Sequence, residues 1–260
     1  MTAVYEIEDN IATATPYAGG AWNPSFQHGA ALAGLVVWAA ERIDIPIEMH
    51  VVRISIEFLR PAPIKPIEIR TEVEKAGRKA HMASIYLLSQ GTELVRARVL
   101  RMRSAQFDLP INLVSVPLDL SGPERAHEDP DIDPNANPFF SGVSMRFVDE
   151  FARRPGSGAV WVRPDRALVL NAETSPLMCT AIAADFTSAP SAVLDFKSWS
   201  HVNSDLSIFL TRPPVDNWIL LVAETWLGDR GTSIAASRIA DRHGYFGRAI
   251  QSCLIESRHT

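Results

Sequence analysis

Residues 29–40 read GAALAGLVVWAA, twelve positions without a charge. A helix that is apolar on every side must be enclosed on every side. His28 and Gly29 stand at its start, and Glu41-Arg42 end it. Beyond Pro46 the period changes to two. Val52, Ile54, Ile56 and Phe58 alternate with Arg53, Ser55 and Glu57, the pattern of a half-buried strand that stops at Phe58-Leu59-Arg60-Pro61. Ile67, Ile69 and Val73 then alternate with Glu68, Arg70, Glu72 and Glu74, with Gly77 as punctuation. Residues 82–88 and 94–102 read as two more strands about the turn Ser89-Gln90-Gly91. The first hundred residues thus predict one buried helix followed by an antiparallel meander.

The second half repeats this order. Ser175-Pro176 is an N-cap and first-turn pair for a helix running to about Asp185. A strand follows, ending Phe209-Leu210-Thr211-Arg212-Pro213-Pro214. Further strands are predicted over 218–226, 233–240 and 246–255, with turns at Gly228 to Gly231 and at His243-Gly244. Arg60-Pro61 and Arg212-Pro213 are offset by 152 positions, and Gly91 and Gly244 by 153. Matching element order turns these coincidences into an internal duplication. Between the halves the composition shifts. Pro110, Pro117, Pro123, Pro130, Pro134 and Pro138 fall among acids and asparagines, so 107–140 is expected to be a linker with little regular structure. The expected division is 1–106, 107–140 and 141–260. A helix enclosed by an antiparallel sheet, made twice in one chain, is the α+β double-hotdog architecture.

Composition narrows the function. At 260 residues and 47% hydrophobic, the chain can bury roughly 70% of its unfolded surface without metals or disulfides. A formal net charge of −5 argues against a broad nucleic-acid surface. The longest uncharged apolar stretch, 29–40, is too short to span a bilayer. MTAVYEIEDN has neither a basic region nor an apolar h-region, so no secretory signal is expected. Cys179 and Cys253 are then expected as buried reduced thiols of a cytoplasmic protein. The sequence has no GxSxG, GxxxxGK[ST] or HExxH. His28, His50, His81, His127, His201, His243 and His259 lie too scattered for a metal site.

Several stretches carry a resemblance. In the first half these are Gln27-His28-Gly29 and FLRPAP (58–63). In the second they are VLDFKSW (193–199), NSDLSIFLTRPP (203–214), NWILLVAETWLGDRG (217–231) and GRAIQSCLIESR (247–258). With these the chain resembles the thioesterase-like double-hotdog proteins related to bacterial acyl-CoA thioesterase II. The resemblance implies hydrolysis of a fatty or related acyl-CoA to free acid and coenzyme A, with the acyl chain between helix and sheet and no metal or redox cofactor. It implies a water held by three side chains, which fall on Asp185, Asn203 and Gln251 here. At the Asn203 position the better-known bacterial relatives have threonine.

The residues themselves can be read beside that implication. Asp185 shares a helical stripe with Leu177, Met178 and Ala181. An acid on an apolar face is costly unless paired or functional; the alternative is an exposed acid at a frayed helix end. Gln251 alternates with Ala249, Cys253 and Ile255, which puts a neutral amide on the core side of a strand, where either a ligand or backbone would satisfy it. Simple alternation groups Asn203 with Asp205 and Ser207, away from Leu206, Ile208 and Leu210; only a bulge would re-aim it. His28-Gly29, at a helix N-terminus, either polarises a substrate carbonyl or merely caps and packs. At the 152-residue offset Asp185 matches Ala33, and the first helix carries an acid only at Glu41, so one catalytic site per chain is expected. Arg60, Lys65, Arg78, Lys79, Arg96, Arg98, Arg101 and Arg103 either attract coenzyme A phosphates or form a solvated outer face. A non-catalytic acyl-thioester binding protein is the competing function. A hydratase would need a matched His–Asp arrangement that the first helix lacks. Exposed sheet edges predict a homo-oligomer.

Overall fold

The apolar helix forms where the sequence puts it. In the computed structural model it is α1 (Gly29–Glu41), and every residue from Ala30 to Ala40 is buried. Fully buried Leu35, Val36 and Val37 each contribute about 1.5–3 kcal/mol relative to exposure. The structure describes residues 2–105, 107–108, 117–129, 133, 135–148 and 155–258. His259 and the prolines at 110, 130 and 134 lie outside them, as does part of the expected linker.

Before α1 come β1 (Ala3–Glu8) and β2 (Ile11–Ala14). After it come β3 (Met49–Phe58), β4 (Ile67–Ala76), β5 (Ala80–Ser89) and β6 (Thr92–Arg103). The second half has β7 (Val143–Phe147), β8 (Ser157–Pro164), β9 (Ala167–Val169), α2 (Pro176–Asp185), β10 (Trp199–Asn203), β11 (Asp205–Leu210), β12 (Ile219–Leu227), β13 (Thr232–Asp241) and β14 (Gly244–Ser257). Ser175 caps α2 by accepting from Met178 N at 3.1 Å, and Pro176 opens its first turn. Gln90 and Gly91, at φ 49° and 76°, make the tight β5–β6 turn.

All described strands join one sheet in the order β7-β8-β12-β13-β14-β11-β3-β6-β5-β4-β2-β1-β9, with β10 also on β14. Read outward from the β11–β3 junction, the two halves have the same order. β3 and β11 pair antiparallel with Ser55 opposite Ser207, its counterpart 152 positions later. Arg53 faces Phe209 and Glu57 faces Asp205, so each partner's counterpart is reciprocated. An approximate two-fold axis therefore passes between Ser55 and Ser207. The duplication read from short motifs is a double hotdog.

The helices run antiparallel along the inner face of this sheet, the start of α1 beside the end of α2. An added Cβ on Gly34 would come within 2.9 Å of Leu168 and 3.0 Å of Ile182, so glycine sets the close approach of α1 to α2. One apolar core runs through both halves. A smaller cluster, including Trp161, Trp218 and Leu220, lies on the outer face of β8 and β12. There the described part of the 107–140 segment packs over it through Leu118, Leu120 and Ala126. Trp161 Nε1 donates to Ser121 O at 2.9 Å, and Tyr245 Oη donates to Asp119 at 2.7 Å. No helix among the described residues is long and apolar enough to cross a membrane.

Candidate active site

The last residue of α2 meets the first residues of α1. Asp185 ends α2 and is buried, with 8% exposure. The C-terminal end of its own helix disfavours a negative charge. The N-terminal end of α1, with its partial positive charge, faces it and offsets that cost. Gly29 makes the approach possible: a Cβ there would stand 2.8 Å from Asp185 Oδ1 and 3.0 Å from Oδ2. Any side chain at 29 would displace the carboxylate.

His28 is the N-cap of α1. Its Nδ1 accepts from Ala30 N at 3.1 Å and lies 3.4 Å from Asp185 Oδ2. One nitrogen cannot accept from Ala30 and donate to Asp185 at once, so capping and ion pairing exclude each other. The ring is held by Phe139, stacked at 4.9 Å, and by Phe186 at 5.2 Å.

Asn203 does reach Asp185. Its Nδ2 donates to Asp185 Oδ1 at 2.8 Å. Simple alternation aimed it away, and a bulge corrects that expectation. Asn203 pairs with Cys253 on β14, but Ser207 pairs with Ile250, so 204–206 oppose only 251 and 252. The extra residue reverses the faces. His201 and Asn203 point inward before it, and Leu206, Ile208 and Leu210 after it. Ser204 N bonds Ser252 O at 2.9 Å, and Asp205 Oδ1 accepts from Ser252 N at 2.6 Å, which fixes the bulge.

Gln251 is fully buried on the inner face of β14. Its Nε2 donates to Asp185 O at 3.0 Å and Ala184 O at 3.4 Å. The amide thereby ties β14 to the last carbonyls of α2. Its Oε1 is buried with no partner among the described residues. The glutamine is thus half backbone clamp and half unfilled acceptor beside Asp185.

Asp185, Asn203, Gln251, His28 and Gly29 are therefore gathered at one place. The thiols are not candidates for nucleophile: Cys179 and Cys253 are free and buried, and burial pushes both up to about 12. The eight basic residues do not form one anion site. Arg96 pairs with Glu93 and Arg98 with Glu74 on the outer face, Arg60 donates to Glu93 O, and Arg101 is buried against Ala40 O. Phe139 and Phe186, which hold His28, carry no periodic signal in the sequence.

Comparison with known proteins gives the family. The acyl-CoA thioesterase N-terminal domain matches residues 18–102, and the acyl-CoA thioesterase C-terminal domain matches 123–255. The chain belongs to the acyl-CoA thioesterase family. It is a thioester hydrolase by that membership. Among solved structures it resembles a candidate thioesterase from Novosphingobium aromaticivorans (17% identity, TM-score 0.74, covering 98% of this chain and 99% of that one). A candidate thioesterase II from Thermobifida fusca is similar at 18% identity and TM-score 0.74, covering 98% and 96%. An acyl-CoA thioesterase II from Mycobacterium marinum follows at 15% and 0.69, covering 96% and 94%. At these identities the structural likeness speaks for the fold. No curated protein matches in sequence.

Proposed function

We propose that this acyl-CoA thioesterase hydrolyses a fatty or related acyl-CoA with a water held by Asp185 and Gln251. The observation that carries this reading is the meeting of three groups: a buried carboxylate, a glutamine oxygen without a partner among the described residues, and a helix N-terminus. Asn203 holds one carboxylate oxygen, which leaves the other to accept a proton. Water placed between Asp185 Oδ2 and Gln251 Oε1 gives its proton to Asp185 as its oxygen attacks the thioester carbon. The carbonyl oxygen becomes negative at the positive N-terminal end of α1, with Gly29 allowing close approach. The carbon–sulfur bond then breaks. The thiolate takes the proton from Asp185, leaving free acid and coenzyme A. This chemistry uses side chains and water alone. We read residues 1–106 and 141–260 as the two repeats joined by 107–140, with one such site per chain.

The test is thiol release from acyl-CoAs of increasing chain length by the wild type and Asp185→Asn. The proposal expects activity in the wild type and its collapse in the variant. Saturable acyl-CoA binding without thiol release in either protein would replace it with the binding-protein reading.

A further inference from the structure

The approximate two-fold axis gives the strand row at Asp185 a counterpart at the other end of the helix pair. Asn203, Cys253 and Ser233 stand side by side on β10, β14 and β13. At the 152-residue offset their counterparts are Val51, Arg101 and His81, side by side on β3, β6 and β5. In each repeat the central strand clamps the end of a helix. Gln251 Nε2 donates to the last carbonyls of α2, and Arg101 Nη2 donates to Ala40 O of α1 at 2.6 Å. What each clamp leaves over is opposite in kind. Gln251 leaves a buried acceptor. Arg101, only 4% exposed, leaves Nη1 as a buried donor with no partner among the described residues.

A buried guanidinium without a counter-ion is costly. The groups around Arg101 do not neutralise it. His81 is buried opposite it, and burial, then the charge of Arg101 itself, lowers the ring's pKa and keeps it neutral. Glu41 attracts Arg101 through space, but burial pushes its carboxyl up and its Oε1 accepts from Ser175 Oγ instead. Arg101 lies in the wall of a cleft of about 680 Å³, within the roughly 300–1,000 Å³ of small-molecule sites. Ile43, Ile47, Met49 and Leu177 make apolar wall beside it.

We infer that this cleft binds an aliphatic carboxylic acid, with its carboxylate on Arg101 Nη1 and its chain along those four side chains. A charge-assisted bond to the spare nitrogen supplies the missing counter-ion. Asp44 and Glu48, exposed in the same cleft, select for a single negative charge over the several of a phosphate. The proposed hydrolysis releases this class of acid, so the inference rests on that reading for the ligand's source and on Arg101 for its binding.

The test is equilibrium dialysis of radiolabelled decanoate against the wild type, Arg101→Met and Asp185→Asn. Methionine replaces a buried charge by a flexible apolar chain, a change that cores accept. A saturable site is expected in the wild type and in Asp185→Asn, weakened by about tenfold or more in Arg101→Met. Thiol release by Arg101→Met should match the wild type. Equal binding by Arg101→Met and wild type would overturn the inference, as would binding lost in Asp185→Asn instead, which would put the acid in the candidate active site. Displacement of decanoate by equimolar inorganic phosphate would also overturn it, because the chain would then count for nothing. Should Arg101→Met not fold, Leu177→Glu decides: it leaves Arg101 in place and sets a negative charge in the cleft, and undiminished decanoate binding there overturns the inference. These outcomes are read whether or not the wild type releases thiol, so failure here and failure of the hydrolysis reading are separate results.

Discussion

The antiparallel helix pair has two ends, and each places an acid against the other helix's N-cap. At one end Asp185, the last residue of α2, lies against His28. At the other Glu41, the last residue of α1, accepts from Ser175 Oγ at 2.8 Å. The two-fold axis relates these ends, so the helices match by their termini, not at the 152-residue offset that pairs Asp185 with Ala33. The strands do keep that offset. Val52 is bulged in β3 as the 204–206 segment is in β11, and the residue each bulge aims inward is Val51 in one repeat and Asn203 in the other. Gln251 has Val99 as its counterpart, and Cys253 has Arg101. The Glu41 end is a cleft of about 680 Å³ lined by Val51, Arg101 and Ser175. One ancestral arrangement thus yields two acids, and what separates them is their company: two amides around Asp185, and Val51, Ser175 and Arg101 at the Glu41 end.

The largest expected effect is on Asp185 itself. Asp185→Asn keeps size and hydrogen-bonding but removes the base, and turnover should fall by about 10³-fold or more, measured as thiol release. Gly29→Ala comes next. Its Cβ would meet Asp185 Oδ1, so kcat should drop by roughly 10²-fold through displacement of the carboxylate. Asn203→Ala should cost about tenfold by freeing Oδ1, and Asn203→Thr, which keeps a donor, should recover most of it.

A further contrast between repeats concerns stability. Arg212 holds Asp241 with paired bonds of 2.7 and 2.6 Å, whereas its counterpart Arg60 reaches only a backbone oxygen of Glu93. Burial is the largest influence on Asp241 and pushes it up. The Arg212 bonds and the amides of Val215 and His243 together outweigh it, so its carboxyl stays below the ordinary value. The pair's contribution is therefore present above the unfolded carboxylate value of about 4 and lost as pH falls through the lower folded one. Asp241→Asn should cost about 3 kcal/mol in urea denaturation at neutral pH, and the difference from wild type should shrink in acid. The smallest effect belongs to Glu41→Gln, whose turnover should match wild type within about twofold, since Val51, in the place of Asn203, cannot hold a water.

Much of this was legible before the fold was seen. The unbroken apolar run 29–40 and the alternation from Ile54 to Phe58 carry their periods openly, and matched turn motifs reveal the duplication. Gln251 showed its inward face by alternation with Ala249 and Cys253. Asn203 did not, because a bulge is fixed by pairing with another strand and leaves no local period. Val52 was read as core-facing for the same reason, yet Val51 takes that place. Strands β1, β2, β7, β8 and β9 have no clear signature in the sequence. Three of them, β2, β7 and β9, are only four, five and three residues long, and β8 is buried over most of its length, without alternation. The match of Glu41 with Asp185 was hidden because α1 and α2 differ in length, thirteen residues against ten.

The central claim is that chemistry resides at the Asp185 end of the helix pair alone. Its most direct test is thiol release from one good acyl-CoA substrate by Asp185→Asn and Glu41→Gln, each checked for folding. The account predicts a loss of about 10³-fold in the first and wild-type turnover in the second. Comparable losses in both, or survival of activity in Asp185→Asn, would contradict it.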